Sequence, residues 1–207
     1  MNPEWRCENC GAIAPLSVAP NVGPDVLDTL RERIIGSDGI EEPVPLWCPW
    51  PLPSGWTVTG VAWAGDDRAS PRATALALSG PAPFSSGPAD IVFVAEELGV
   101  GLGGGLGGLG LDPGPALGEV VAHTPPQAKV RAAGHPTPLW AVPAGPGRSV
   151  YVGEARAMWL YAVAWPPAAA YLLLDGLRLR DLAESVPAEL VFGAESGRVR
   201  PRPVVTT

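Results

Sequence analysis

The stretch Trp56-Thr57-Val58-Thr59-Gly60-Val61-Ala62-Trp63-Ala64 decides the fold. It is rich in β-branched and aromatic residues, which favour a strand. Apolar side chains fall at both odd and even positions, so both faces of this strand are predicted to be covered. Turn residues follow at Gly65-Asp66-Asp67-Arg68. The pattern predicts a strand in the centre of a sheet.

Further apolar runs of strand length lie on both sides of Gly/Pro-rich turns. They are Ala73–Ser79, Asp90–Ala95, Met158–Ala164, Ala170–Leu174, Leu177–Arg180 and Glu189–Phe192. The runs around Trp165-Pro166-Pro167 are predicted to form an antiparallel hairpin, and Asp181-x-x-Glu184 to begin a short helix. Because long helices between the strands are missing, we predict an α+β protein: a mainly antiparallel sheet of five or more strands with a few short helices, in one compact domain.

The chain divides by composition into four parts. Residues 1–12 carry the CxxCG knuckle Cys7-Glu8-Asn9-Cys10-Gly11, and 13–45 form a linker that carries one helix. Residues 46–195 form the α+β domain, and 196–207 form a polar tail that is predicted to be disordered. The helix is predicted over Asp25–Ile35, because Val26, Leu27, Leu30 and Ile34 recur at helical spacing.

The net charge is acidic, at −7, with 14 basic against 21 acidic residues. An acidic chain repels a phosphate backbone, so nucleic-acid binding by the main domain is not expected. No apolar run approaches the roughly 20 residues that span a bilayer, and the N-terminus does not have the pattern of a signal peptide. We therefore expect a cytoplasmic protein without membrane contact, whose three cysteines are reduced thiols or metal ligands.

A glycine-rich segment matches a dinucleotide-binding pattern at Gly99-Val100-Gly101-Leu102-Gly103-Gly104. In such a site the amides near Gly101 and Gly104 would face a phosphate at a helix N-terminus. The glycines that follow are poor helix formers, and no acidic residue stands at the expected distance. We favour a mobile loop or a glycine-softened helix over nucleotide binding.

Tryptophans provide a second set of candidate binding residues. Trp50, Trp56 and Trp140, with Trp47 and Trp63, could line a groove for a proline-rich peptide or a sugar. Tryptophan also fills protein cores, and we favour that role for most of them.

Catalytic candidates are few. Lys129 is the only lysine among 14 basic residues; it could be kept for its titratable amine, or it could equally be a chance codon. Asp66 lies in a turn, and Glu96 and Glu97 end a strand before the glycine-rich segment. A carboxylate could serve acid–base chemistry, but no sequence motif joins these residues to a nucleophile.

Several strings together resemble an uncharacterised actinobacterial family that carries a domain of unknown function. The resemblance covers about residues 5–182 and rests on strings that include Pro49–Trp56, Thr59–Arg68, Val94–Gly103, Pro125–Val130, Pro136–Trp140 and Trp159…Trp165-Pro166. It implies a cytoplasmic bacterial protein with a zinc-ribbon-like N-terminus, and it brings no known activity.

The family pattern opens with two cysteine knuckles, and this sequence resembles the second one alone, with Cys7 and Cys10. A closed zinc site needs four ligands, so this one is incomplete unless another chain supplies the rest. Cys48 lies between two tryptophans and is expected to be a small buried side chain. We expect a gene start assigned too late or a lost knuckle, and poor zinc binding. The other interpretation is a plain turn with two exposed thiols, since half a site has little metal affinity.

Two functions remain open. The favoured one is a non-enzymatic binding or regulatory module that engages a protein or a small ligand, with a homodimer possible. The alternative is an enzyme whose pocket is formed by Lys129, acidic residues and the glycine-rich loop. The two differ in whether Lys129 meets carboxylates in one deep pocket.

Overall fold

A computed structural model describes residues 6–7, 11–12, 16–19, 21–35, 43–65, 70–84, 86–109 and 114–199. Ten strands of this part of the chain form one sheet in the order β3-β5-β6-β7-β11-β10-β9-β8-β12-β4. Every neighbouring pair is antiparallel except β12 with β8. The predicted α+β fold with a mainly antiparallel sheet and few short helices is confirmed.

The strands have the following bounds: β1 Arg6–Cys7, β2 Gly11–Ala12, β3 Leu16–Ala19, β4 Trp47–Pro49, β5 Thr57–Ala64, β6 Ala73–Pro81, β7 Pro88–Glu96, β8 Ala128–Ala132, β9 His135–Val142, β10 Ser149–Ala155, β11 Met158–Trp165 and β12 Arg178–Asp181. The helices are α1 Pro24–Ile35, α2 Leu102–Gly107 and α3 Gly114–His123, with 3₁₀ helices at Pro167–Asp175 and Gly197–Val199. Strands β1 and β2 form a separate two-stranded sheet among the described residues. Helix α1 confirms the prediction over Asp25–Ile35.

Strand β5 has partners on both edges, β3 and β6, as expected of a central strand. A bulge interrupts its register between Val58 and Gly60. The extra residue of the bulge moves each later side chain of β5 to the opposite face of the sheet. Val58 therefore shares a face with Val61 rather than with Ala62. The simple alternation over this stretch is therefore broken at Thr59.

Both faces of the sheet are covered by apolar layers. On one face, Val58, Leu76, Phe93 and Leu160 pack with α1 and the residues around β4. On the other face, a layer of small side chains from β5 and β6 packs with larger residues from β7, β10, β11 and α2. The apolar runs of β5, β6, β7 and β11 are explained by this double burial.

The predicted hairpin between Met158–Ala164 and Ala170–Leu174 is wrong. β11 pairs instead with β10 and β7, and Ala170–Leu174 lies within the 3₁₀ helix Pro167–Asp175. Proline suits the first turn of a helix, and the Ala/Leu-rich run that follows has good helix propensity. An apolar run of this length fits either structure.

Sequence interpretation also missed a hairpin at residues 128–142. Strands β8 and β9 pair around Ala133 and Gly134, both with positive φ. Pro136 and Pro138 are unfavourable within a strand because they cannot donate to its ladder. They are tolerated in β9 because β10 pairs only with its later residues Trp140–Val142.

The segment after β12 also differs from its prediction. Residues 182–184 form a turn rather than a short helix. The carboxylate of Asp181 accepts hydrogen bonds from the amides of Leu46 and Ala183 and pairs with Arg156, so it joins β12 to the residues before β4. Of the predicted last strand, only Phe192 forms a bridge, to Val58.

Residues on both sides of the range 46–195 pack with the sheet. Strand β3 and helix α1, both within the predicted linker, contribute buried residues such as Leu16, Leu27 and Leu30. At the other end, Ser196 is buried and Val199 is 1% exposed, so residues 196–199 pack against the sheet. Val199 fills the space beside Gly60, where a Cβ would lie 2.8 Å from its methyl group.

Candidate functional site

Parallel pairing of β8 and β12 gathers four cationic side chains on one face. Arg131 lies directly beside Arg178, and alternation along each strand brings Lys129 and Arg180 to the same side. All four side chains are exposed, while the residues between them are buried. These four residues are called the basic strand pair below.

On the adjacent strand β9, no acidic residue shares this face, and the exposed Glu154 of β10 lies on it one strand further away. By register, Pro136 and Pro138 of β9 share the face with the basic strand pair, and Trp140 continues it. Arg131 donates to the carbonyl of Gly134, and Arg180 donates to the hydroxyl of Ser185. Among the described side chains, no carboxylate forms an ion pair with any of the four cations.

An open pocket of about 460 Å³ lies beside the first residues of β8. It is lined by Pro126, Gln127, Ala128, Lys129, Val130, Arg131, Leu174 and Gly176. Its wall is thus the continuous stretch 126–131, which leads into β8, together with Leu174 and Gly176 at the end of the 3₁₀ helix Pro167–Asp175. The lining combines apolar groups with two members of the basic strand pair.

Exposed apolar side chains lead up to this pocket. In a 3₁₀ helix, residues three apart lie on the same side, and Tyr171 and Leu174 are 51% and 52% exposed. Phe84, 90% exposed, stacks edge-on against Tyr171 with ring centroids 5.2 Å apart. We call Phe84, Tyr171 and Leu174 the apolar ridge. Adjacent apolar side chains that are this exposed are typical of an interaction surface.

Sequence interpretation found Lys129 as an isolated residue and missed the other three cations. The signal was present as two short alternating strings, Lys129-Val130-Arg131 and Arg178-Leu179-Arg180. Each predicts an exposed basic strand face, but they are almost 50 residues apart in the sequence. Only the parallel register of β8 and β12 shows that they are neighbours.

The predicted catalytic residues are not brought together. Lys129 lies on the solvent face of β8, and neither Glu96 nor Glu97 lines its pocket. The Glu97 carboxylate accepts a hydrogen bond from Nε of Arg72 at 2.7 Å. Asp66 lies outside the described residues. The pocket predicted for an enzyme, with Lys129 and carboxylates beneath the glycine-rich loop, is not formed by the described residues.

Glu96 instead lies under the glycine-rich helix α2. Its side chain is buried, and it accepts a hydrogen bond from the amide of Gly103 at 2.9 Å. Burial raises the pKa of this carboxyl to about 7, against the opposing effect of hydrogen bonds from Gly103, Tyr161 and Leu102. The Glu96 carboxyl thus takes the place that a phosphate would occupy in a nucleotide site, and a phosphate would have to displace it from the amide of Gly103.

The glycines Gly101 and Gly104 have structural positions in this arrangement. Gly101 precedes α2 with φ of 81°, which a residue with a side chain rarely adopts. Gly104 is buried within α2, and its carbonyl accepts hydrogen bonds from the residues that end the helix. At the other end of α2, Arg148 donates to the carbonyl of Leu106 at 2.6 Å. The helix is therefore held at both ends by ionisable side chains.

The candidate tryptophans are distributed over the molecule. Trp56 is 4% exposed and packs over Gly80, where a Cβ would overlap its ring. Trp50 is half-buried and packs against the main apolar layer. Trp140, also half-buried, donates from Nε1 to the carbonyl of Thr124. Of the three, Trp140 alone lies on the same sheet face as the basic strand pair.

The cysteine residues differ in what the structure describes. Cys7 pairs through its backbone with Gly11, whereas Cys10 lies outside the described residues. Cys48 is completely buried, as predicted, and burial raises the pKa of its thiol to about 12. Within the described ranges, no group of three or more potential metal ligands is found.

Purified 207-residue monomer is expected to contain well under one zinc ion, because two cysteines supply only half of a tetrahedral site. Elemental analysis by mass spectrometry measures this directly, and Cys48→Ala, which changes a buried thiol, should leave the zinc content unchanged. Stoichiometric zinc in the monomer would contradict the assignment. One zinc for every two chains in a dimer would indicate a shared site.

Comparison with protein families supplies the identification. A model of a family of unknown function (DUF6758) matches residues 1–199. The chain belongs to this family. The match extends through Val199, which agrees with the packing of residues 196–199 against the sheet.

No curated protein and no solved structure gives a match to the chain. In the part of the chain that the structure describes, no helix combines the length and the apolar character needed to cross a membrane. Membership of this family brings no activity with it.

Proposed function

We propose that this protein is a non-enzymatic binding module that recognises an acidic segment of a partner protein through the basic strand pair. The observation that carries the proposal is the grouping of four exposed cations, without a carboxylate partner among the described side chains, on a chain of net charge −7.

Electrostatic repulsion within this group of cations favours an anionic partner. Like charges directly opposite on neighbouring strands, such as Arg131 and Arg178, destabilise a sheet. An anionic partner removes that repulsion and is steered to the site by the local positive field. The rest of the acidic surface disfavours polyanions as long as nucleic acid, which would extend beyond the patch.

The apolar ridge supports a protein as the partner. Small anions need only the cations, whereas Phe84, Tyr171 and Leu174 offer apolar surface beside them. Aromatic residues are favoured at protein interfaces, where they bury large area at small entropic cost. An acidic segment that also carries apolar side chains would use both surfaces.

An enzyme remains the alternative only if Lys129 acquires a carboxylate partner. Proton transfer requires a base or acid within hydrogen-bond reach of the reacting group. The described side chains offer Lys129 no such carboxylate, and the buried Glu96 is engaged by α2. Binding is therefore the function that the geometry supports better.

The cellular setting belongs to the same proposal. We place the module in the cytoplasm of an actinobacterium and give it a zinc-ribbon-like N-terminus, on the sequence resemblance described above. A buried, reduced thiol at Cys48 is compatible with this setting.

The test uses a fluorescein-labelled hexapeptide of alternating glutamate and leucine. A lysine–leucine peptide serves as the control of opposite charge. Fluorescence anisotropy should show binding of the acidic peptide only. The double variant Lys129→Ala/Arg131→Ala should weaken it about tenfold, since two surface charge pairs contribute up to about 1 kcal/mol each.

Arg72→Ala is the matched control, because it removes an exposed arginine that is already paired with Glu97. Its affinity for the acidic peptide should stay within about twofold of the native protein. Equal weakening by the control and the double variant would contradict the assignment. A single-stranded oligonucleotide that binds as tightly as the peptide would overturn the choice of a protein partner.

A further inference from the structure

We infer that the acidic segment binds in extended form, as a strand added to the open first half of β8. This inference rests on the proposed function and specifies how the partner is recognised. It concerns the pocket beside the basic strand pair, where β8 presents backbone to the 3₁₀ helix rather than to another strand.

Strand β12 covers only part of β8. Their register pairs Arg178 with Arg131 and Leu179 with Ala132, so Ala128–Val130 have no strand partner on that side among the described residues. The first hydrogen bond between them runs from the amide of Arg131 to the carbonyl of Leu177. Gly176, with φ of 69°, turns the chain from the 3₁₀ helix into β12 just before this point.

Strand geometry determines where the free backbone groups point. Amides two residues apart on a strand face the same edge. The amide of Arg131 faces β12, so the amide and carbonyl of Lys129 face the same edge, into the pocket. A donor and an acceptor on one residue are the pair that an incoming strand engages in strand addition.

The side chains around the open edge define the sequence that fits. On the outer face, the added strand would meet Lys129 and Arg131, which favour carboxylates. On the opposite face lie Ala128 and Val130, and Leu174 lines the same pocket. Because strand side chains alternate, the fitting segment alternates acidic and apolar residues.

Charge and backbone chemistry together select a peptide. Free phosphate or a carboxylate could pair with Lys129 but could not occupy the donor and acceptor of its backbone together. Nucleic acid has the charge but presents no peptide ladder. The acidic, alternating strand is the occupant that uses all three features of the pocket.

The inference is tested with the alternating glutamate–leucine hexapeptide and a set of variants, each N-methylated at one backbone amide. One or two N-methyl positions should weaken binding about fivefold, because a backbone donor is lost. Methylation at amides that face away from β8 should leave the affinity nearly unchanged. Hydrogen exchange measured by NMR should show that the Lys129 amide is protected only when the peptide is present.

The outcomes separate the two proposals. If the peptide binds through Lys129 and Arg131 but no N-methyl position matters and the Lys129 amide stays unprotected, strand addition is wrong while acidic recognition stands. If no acidic peptide binds, both are wrong. Protection of the Lys129 amide in the free protein at raised concentration would instead identify a second copy of the chain as the occupant.

Discussion

Replacing Gly103 with alanine is expected to destabilise the protein by about 2–3 kcal/mol, although alanine is the better helix former. A Cβ at this position would lie 2.5 Å from Cγ and 2.7 Å from Cε2 of the Tyr161 ring, which is completely buried. Helix α2 approaches the sheet this closely only because Gly103 has no side chain. The cost of overlap therefore exceeds the roughly 1 kcal/mol that alanine gains in a helix.

Gly118→Ala in α3 is the matched control. A Cβ there meets no atom within 4 Å, so the substitution should stabilise the protein by up to about 1 kcal/mol. Urea unfolding of both variants measures the difference in sign. Equal stabilisation by both substitutions would show that α2 does not pack on Tyr161 as described.

Stability is expected to fall by roughly 3 kcal/mol between about pH 4.5 and pH 7 because of Glu96. Burial raises its pKa from 4.5 to about 7 in the folded protein. In this pH range the folded protein therefore holds a proton that the unfolded chain releases. The contribution of Glu96 to the free energy of unfolding is fully present below about pH 4.5 and is lost as the pH rises through 7. Above that range, the ionisation of Glu96 no longer changes the stability.

Glu96→Gln should remove this slope, because the amide does not ionise and its oxygen can still accept from the Gly103 amide. Urea unfolding of the native protein and the variant at pH 5, 6, 7 and 8 gives their difference in free energy. The free energy of unfolding of Glu96→Gln, relative to that of the native protein, should increase as the pH rises. Glu97→Gln, which changes an exposed carboxyl, controls for the loss of one negative charge. Parallel profiles for native protein and Glu96→Gln would contradict the buried position.

The strongest strands could be predicted because burial on both faces leaves a long apolar signal. β5, β6, β7 and β11 appear within about two residues of their predicted bounds. The β8–β9 hairpin could not be predicted, because its turn residues Ala133 and Gly134 are not the Asn-Gly or Asp-Gly pair that favours such turns. Its prolines are tolerated only because of the register with which β9 pairs. The 3₁₀ helix was mistaken for a strand since apolar content alone does not distinguish the two.

The candidate site was less predictable than the fold. Lys129 was noticed for its rarity, while its meaning depends on Arg178 and Arg180, which the parallel register brings beside β8. The glycine-rich segment suggested a phosphate site, but its amides engage Glu96, a residue seven positions earlier. Both relations are set by tertiary structure, and no local pattern in the sequence encodes them.

The glycine-rich segment and the basic strand pair thus have different roles. The glycine-rich segment is explained by packing, because α2 must approach Tyr161 closely and is held by Glu96 and Arg148. The basic strand pair has no such internal explanation among the described residues. Folding alone does not account for this feature, whereas the proposed binding would.

Residue-resolved NMR titration with the glutamate–leucine hexapeptide tests the central claim most directly. The proposal predicts amide shift changes confined to Gln127–Arg131 and Leu174–Arg180, with the largest at Lys129 and Arg131. These changes should diminish as salt is raised, because surface charge pairs are screened. Changes centred on α2 or around Trp50 and Trp56, or none at these two segments while the peptide binds, would contradict it.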